Sequence, residues 1–217
     1  MSLADPGAGV SISMTMIGPG SGCETIRRVC VVLFHSMFGL RAVELAAAQQ
    51  LRATGCRVVV PDLFAGATVP GDVDEGFALM DRVGWGTIVD RARRSLAGVS
   101  GEAVLGGFSM GVGVIGELWP ERTEAPAVFC LHAPTTVPDG VRTGTPVQLH
   151  VAAGDRFAPA DQIAAFRESA ARTGAAASVY QYPGAGHFFT DVSLPDYSAG
   201  ATACTWTRVR RLLDAVS

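Results

Sequence analysis

Charge is scarce in this sequence. Asp, Glu, Lys and Arg together make up 17% of 217 residues, against about a quarter in an ordinary soluble domain. There is no block of Lys and Arg, and the formal net charge is -3. That combination argues against nucleic acid as a partner. The arginines that do cluster (Arg91, Arg93 and Arg94; Arg208, Arg210 and Arg211) fall in helix-like segments and read as solvated faces. Long apolar runs are missing as well. None approaches the ~20 residues of a membrane span, and the first residues lack the basic-then-apolar pattern of a secretory leader. A soluble chain in the cytoplasm, with no membrane partner, is expected. The five cysteines are scattered and odd in number, with no zinc or redox spacing. The four histidines form no H-E-x-x-H and no compact ligand set, so neither a metal nor a cofactor is expected. The glycine-rich stretch 19–22 precedes its strand instead of following one, which rules out a dinucleotide loop. No internal repeat and no linker divides the chain, so it reads as one domain over 1–217, loose over 1–10.

What is present is hydrophobic, at 48%, and arranged in short runs. Residues 29–34 (VCVVLF), 57–60, 103–108, 127–131, 146–152 and 177–182 are near-continuous apolar or β-branched runs. Runs of this kind mark strands buried on both faces, as in a parallel sheet. Between them lie helix-like segments at 41–53, 72–81, 87–96 and 110–119 and one that begins at Pro159 with Ile163, Phe166 and Ala170 on its apolar face, with a closing helix from 197. An edge strand is expected over 10–17, where Ile12, Met14 and Met16 alternate with polar residues. Strands alternating with helices define an α/β class: a three-layer sandwich whose mostly parallel sheet is flanked by helices on both faces.

In such a sheet, ligands bind beyond the carboxyl ends of the strands. The reactive side chains collect there. His35 and Ser36 follow the first core strand, Asp62 the second, Ser109 the third, His132 the fourth and Asp155 the fifth; His187 comes shortly after the sixth. Ser109 lies in Gly107-Phe108-Ser109-Met110-Gly111, between a strand and a helix. There a sharp turn can lift its hydroxyl above the sheet, and small flanking residues let strand and helix approach. The bland alternative is that Ser109 merely caps the helix. A serine hydroxyl needs a base, and the base needs an acceptor that fixes its tautomer. Ser109, Asp155 and His187 supply the three types in the chain order Ser, acid, His. Asp161 is the local rival to Asp155 but suits the first turn of the following helix. The oxyanion of acyl transfer needs preorganised donors. The backbone N–H of Met110 and that of Met37, in the loop after the first core strand, are the candidates, with His35 structural. His132 at its strand end is a pocket candidate; His150, mid-strand, reads as a satisfied core residue.

Taken together, Phe34-His35-Ser36-Met37-Phe38-Gly39-Leu40, Pro61-Asp62-Leu63-Phe64, 107–111, Gly154-Asp155-Arg156-Phe157-Ala158-Pro159, 182–188 and Pro195-Asp196-Tyr197 resemble the dienelactone hydrolase family of α/β-hydrolases, over most of the chain from residue 29. The resemblance implies a nucleophile, acid and base at Ser109, Asp155 and His187, and backbone oxyanion donors at Met37 and Met110. Members usually carry a cysteine where this chain has Ser109, and a glutamate where it has Ser36. The two departures go together, because a Ser–His–Asp triad needs no device to manage a thiol. Arginines that hold a substrate carboxylate in lactone-cleaving members have no clear counterpart; Arg82 reads as surface. The expectation is a small ester or lactone with an apolar acyl part, hydrolysed by a monomer or homodimer. Candidate pocket walls are His35, Ser36, Phe38, Phe64, Trp85, His132, Phe157 and Phe188. A thioesterase or peptidase with the same triad is one alternative. A non-catalytic binding protein on the same scaffold is another.

Overall fold

The structure is a computed structural model and describes residues 29–217; the edge strand expected over 10–17 and the loose stretch 1–10 lie outside the described residues. The apolar runs form six strands: β1 (Cys30–Phe34), β2 (Arg57–Val59), β3 (Val104–Phe108), β4 (Val128–Leu131), β5 (Pro146–Ala152) and β6 (Ala176–Tyr182). They make one sheet in the order β2-β1-β3-β4-β5-β6, and every neighbouring pair is parallel. The chain leaves β1 toward β2 at one edge, returns to β3 on the other side of β1, and then proceeds outward. The order therefore reverses between β1 and β3, and that is where a crevice opens above an α/β sheet.

Among the described residues six α-helices cover the sheet: α1 (Ala42–Ala53), α2 (Val73–Val83), α3 (Trp85–Ser95), α4 (Met110–Leu118), α5 (Ala160–Thr173) and α6 (Ala199–Ala215). Successive strand residues point to opposite faces. Val32 and Phe34 of β1 join a core with Leu79, Ile88, Val112, Ile115 and Phe166 from α2 to α5. Val31 and Leu33 join the opposite core with Ala48 and Leu51 of α1 and Trp206, Val209 and Leu213 of α6. These four of the five β1 residues are fully buried. Burial on both sides is why the run is continuous and not alternating.

Local chemistry sets the helix ends. Asp72 caps α2, its Oδ1 accepting the Glu75 N–H at 2.9 Å. Gly174 ends α5 in the left-handed region, at φ 74°. The break between α2 and α3 is narrower than the sequence suggests. Only Gly84, at φ 81°, interrupts the helix, and Trp85 and Gly86 already belong to α3.

Candidate active site

β3 runs into α4 through Ser109, whose φ is 47° and ψ -106°. A non-glycine residue rarely adopts a positive φ, and holding it there costs ~1–3 kcal/mol. Tight packing around the turn imposes it. A Cβ on Gly107 would lie 2.6 Å from the backbone of Gly111, and one on Gly111 would lie 2.5 Å from the carbonyl oxygen of Phe34. Only glycines let β1, β3 and α4 come this close. The Ser109 N–H is anchored to the Leu131 carbonyl at 2.8 Å.

The Ser109 hydroxyl does not cap α4. It donates instead to Nε2 of His187 at 2.9 Å. Nδ1 of His187 donates to Oδ2 of Asp155 at 2.5 Å. A carboxylate can only accept, so the proton sits on Nδ1 and leaves Nε2 as the acceptor for the serine. Asp155 is itself oriented, its Oδ1 accepting the Phe157 N–H at 2.9 Å. The side chains of His187 and Asp155 are 7% and 3% exposed, and His187 lines the cavity beside Ser109. Asp161 stays in the first turn of α5, exposed. The structure thus brings together Ser109, Asp155 and His187 from three loops spread over 78 residues of chain.

Beside Ser109 is a cavity of about 250 Å³. Met37 after β1, Met110 and Gly113 on α4, Ala133 and Pro134 after β4, and Phe157 after β5 form its inner walls. Phe77 and Met80 of α2 and Trp85 of α3 form its outer wall. No Asp, Glu, Lys or Arg lines it. Arg82 is exposed elsewhere on α2. Met110 is the first residue of α4, so its N–H belongs to the helix turn that has no intrahelical acceptor. A larger cavity, about 520 Å³ between α1, α6 and residues 190–193, touches neither Ser109 nor His187. The reactive groups mark the site, not the volume.

Six of the candidate pocket walls take other positions. His35 is fully buried. It donates from Nδ1 to the Ser36 carbonyl at 2.7 Å and accepts the Leu63 N–H on Nε2 at 3.0 Å, and burial lowers its pKa. It is a neutral strut between two loops. Phe64 packs edge-on against it, with centroids 5.0 Å apart. Ser36 points away from the cavity to Glu44, at 2.8 Å. Phe38 and Phe188 pack on each other in the core, 4.6 Å between centroids. His132, at φ 76°, lies beneath His187 with Nε2 paired to the Thr190 hydroxyl at 2.8 Å. Burial, reinforced by His187, holds its pKa well below the ordinary value. Trp85 and Phe157 do line the cavity. Sequence reasoning missed Gly113, Ala133 and Pro134 as walls, and the two large side chains of α2, Phe77 and Met80. Their signal is an apolar pair three residues apart on α2, which reads as core unless one notices that Phe77 is 42% exposed in the fold.

Among the described residues no group of three or more His, Cys, Asp or Glu could hold a metal ion, and no helix is long and apolar enough to cross a membrane. The sheet, its flanking helices and the turn at Ser109 are those of an α/β-hydrolase. Residues 21–217 match the model of the dienelactone hydrolase family, and the chain belongs to that family. Membership supports a hydrolase. The sequence matches no functionally curated protein. Among solved structures, a dienelactone hydrolase-like promiscuous phosphotriesterase from metagenomic libraries is 23% identical over 89% of this chain and 88% of its own, with a TM-score of 0.71. A phospholipase/carboxylesterase from Dyadobacter fermentans is 14% identical over 86% and 91%, at 0.56. Esterase PE8 is 16% identical over 85% and 93%, at 0.55. At these identities the likeness is one of fold.

Proposed function

We propose that this protein is a serine esterase or lactonase for small, uncharged, apolar substrates. The observation that carries the reading is the line of hydrogen bonds from Ser109 through His187 to Asp155, opening on a cavity without a charged wall. His187 takes the proton of Ser109 on Nε2 as the serine oxygen attacks the carbonyl carbon. Negative charge gathers on the carbonyl oxygen, where the N–H groups of Met37 and Met110 receive it. Collapse of the adduct breaks the bond to the leaving alkoxide, and His187 returns the proton to it. The acyl group stays on Ser109. Water then enters, gives a proton to His187 and attacks the acyl carbon, and the acid leaves as Ser109 recovers its proton. Asp155 holds the imidazole in the tautomer that makes each transfer possible. No cofactor enters the scheme.

The cavity's size and lining favour a short ester over a peptide or a coenzyme A thioester, either of which would call for a longer groove or basic groups. They also speak against a substrate bound by its carboxylate. The test is a panel of p-nitrophenyl esters from acetate to decanoate on wild type and Ser109→Ala. Saturable turnover abolished by the substitution, with a single covalent adduct from a serine-directed phosphonate, is expected. Folded protein that neither turns over an ester nor takes the adduct would refute the reading and favour a binding protein on a hydrolase scaffold.

A further inference from the structure

A second polar cluster lies behind the site, on the side of Met37 away from the cavity. Its centre is Glu44, on the first turn of α1, with a side chain only 2% exposed. A buried carboxylate must be satisfied to be tolerated. Here three donors meet it. Oε1 accepts the Ser36 hydroxyl at 2.8 Å and lies 3.5 Å from the Ser36 N–H. Oε2 accepts the Arg41 N–H at 3.1 Å. The Ser36 oxygen in turn accepts the Phe38 N–H at 3.4 Å. Both neighbours of Met37 are therefore tied, directly or through one hydroxyl, to a single carboxylate.

Arg41 extends this chain to the other side of the site. Its guanidinium lies 3.9 Å from Glu44 through Nη2, and the same nitrogen donates to Oδ2 of Asp191, whose side chain is 5% exposed. Nη1 donates to the Pro70 carbonyl at 3.2 Å, and the cation lies 4.7 Å from the centroid of the Phe38 ring. Asp191 is four residues beyond His187, and its N–H is bonded to the Phe188 carbonyl at 2.8 Å. The loop that offers the Met37 N–H and the loop that carries His187 are thus joined through one largely buried polar chain, Ser36–Glu44–Arg41–Asp191.

Apolar residues would fill this space at less desolvation cost. What an ionic chain adds is fixed direction, and the oxyanion position tolerates little error, because a donor counts only where the charge will form. We propose that Glu44 and Arg41 are positioning residues that hold the Met37 N–H in register with Ser109 and His187. The proposal rests on the serine hydrolase reading above.

The test compares Glu44→Gln, Ser36→Ala and Asp191→Asn with wild type, using p-nitrophenyl butyrate turnover and the affinity of phenylboronic acid, whose adduct on a serine puts an oxygen in the oxyanion position. Gln offers one acceptor oxygen in place of two, and Ala removes only the hydroxyl link. Expected for Glu44→Gln is a kcat about 10- to 100-fold lower with KM within about threefold, since losing one donor outright costs ~100- to 1000-fold. Boronate affinity should fall in parallel, and Ser36→Ala and Asp191→Asn should move both readouts the same way by smaller factors. A merely structural role would lower the melting temperature and leave this paired loss absent. Folded variants whose kcat and boronate affinity stay within twofold of wild type overturn the proposal, as does a rise in KM alone. Should Glu44→Gln fail to fold, Ser36→Ala decides by the same criteria. Wild type without Ser109-dependent turnover and without boronate binding would remove the hydrolase reading and this one with it; an active wild type with unaffected variants removes this one only.

Discussion

His150 should make the folded state sensitive to acid. The residue sits in the middle of β5, fully buried, and its hydrogen bonds fix it as neutral. Nε2 donates to Oε1 of Gln148 at 3.0 Å, while Nδ1 accepts from the Tyr182 hydroxyl at 2.9 Å. That hydroxyl has no room to reverse its role, because it already accepts from the Thr205 hydroxyl at 2.8 Å and from Arg208 at 2.9 Å. Protonating Nδ1 would set two donors against each other beside the Arg208 cation. Burial first, and Arg208 second, lower the pKa of His150 from 6.5 to about 3. Between those values the unfolded chain binds a proton and the folded chain does not, so stability rises with pH across the window and is lost as pH falls from ~6.5 toward ~3. At pH 4.5 the unfolded imidazole is almost fully charged and the folded one almost fully neutral. The difference is two pH units of binding, about 2.7 kcal/mol relative to neutral pH. Urea unfolding followed by tryptophan fluorescence at pH 7.5 and 4.5, on wild type and His150→Gln, isolates this contribution. His132 adds acid sensitivity of the same sign; Glu44, whose pKa burial raises, opposes it. Both are present in each protein and cancel in the comparison. The substitution should lower stability at pH 7.5, and the variant should then lose about 2.7 kcal/mol less than wild type on acidification. Equal losses, within about 0.5 kcal/mol, would refute the assignment of a neutral, twice-bonded imidazole.

Asp155→Asn, which leaves the shape of the site but can turn a donor toward His187, should lower kcat for a short nitrophenyl ester by about 10³- to 10⁴-fold while Ser109 and His187 stay in place, as a pH–rate profile and a melting curve together would show. Gly111→Ala forces a Cβ against the Phe34 carbonyl at 2.5 Å and should cost ~3 kcal/mol or more in urea unfolding; Gly86→Ala, inside α3 with nothing within 4 Å of the new Cβ, should leave stability unchanged or raise it by ~0.5–1 kcal/mol. Trp85 lies over Gly113, where an added Cβ would be 3.1 Å from the indole, and its Nε1 donates to Glu117 at 3.1 Å. Trp85→Ala should open that end of the cavity and move the preferred ester to longer chains, and an unchanged chain-length profile would show that the indole does not limit the substrate.

The sheet was readable because its strands are buried on both faces. Runs such as 29–34 and 127–131 need no alternation to be recognised, and placing a reactive residue at each strand end requires only knowing where the run stops. The pocket was not readable in the same way. Phe38, Phe64 and Phe188 stand in the loops where walls were expected, yet all three turn inward and are buried. Which side of a loop a ring occupies depends on what packs beneath it, and nothing local in sequence reports that. Phe77 and Met80 mislead in the opposite sense, since their spacing on α2 is that of a core stripe although they face the cavity.

The hydrogen bonding of Ser109 shows most plainly where sequence stops. A serine between strand and helix is equally good chemistry for a helix cap, and both readings satisfy the local pattern. What separates them is whether an acceptor stands within reach of the hydroxyl, and that acceptor, His187, is 78 residues away. Glu44 is a sharper case. In an alanine-rich helix a glutamate at the third position reads as an ordinary first-turn acid facing water, favoured there by the helix dipole. It is buried because Ser36, eight residues earlier, and Arg41 supply its donors, while Arg41 is held in turn by Asp191, 150 residues on. Each partner taken alone is a common polar residue in a loop or a helix cap. Their joint burial is what gives them direction, so a positioning device of this kind becomes visible only when the fold closes its two loops around one carboxylate.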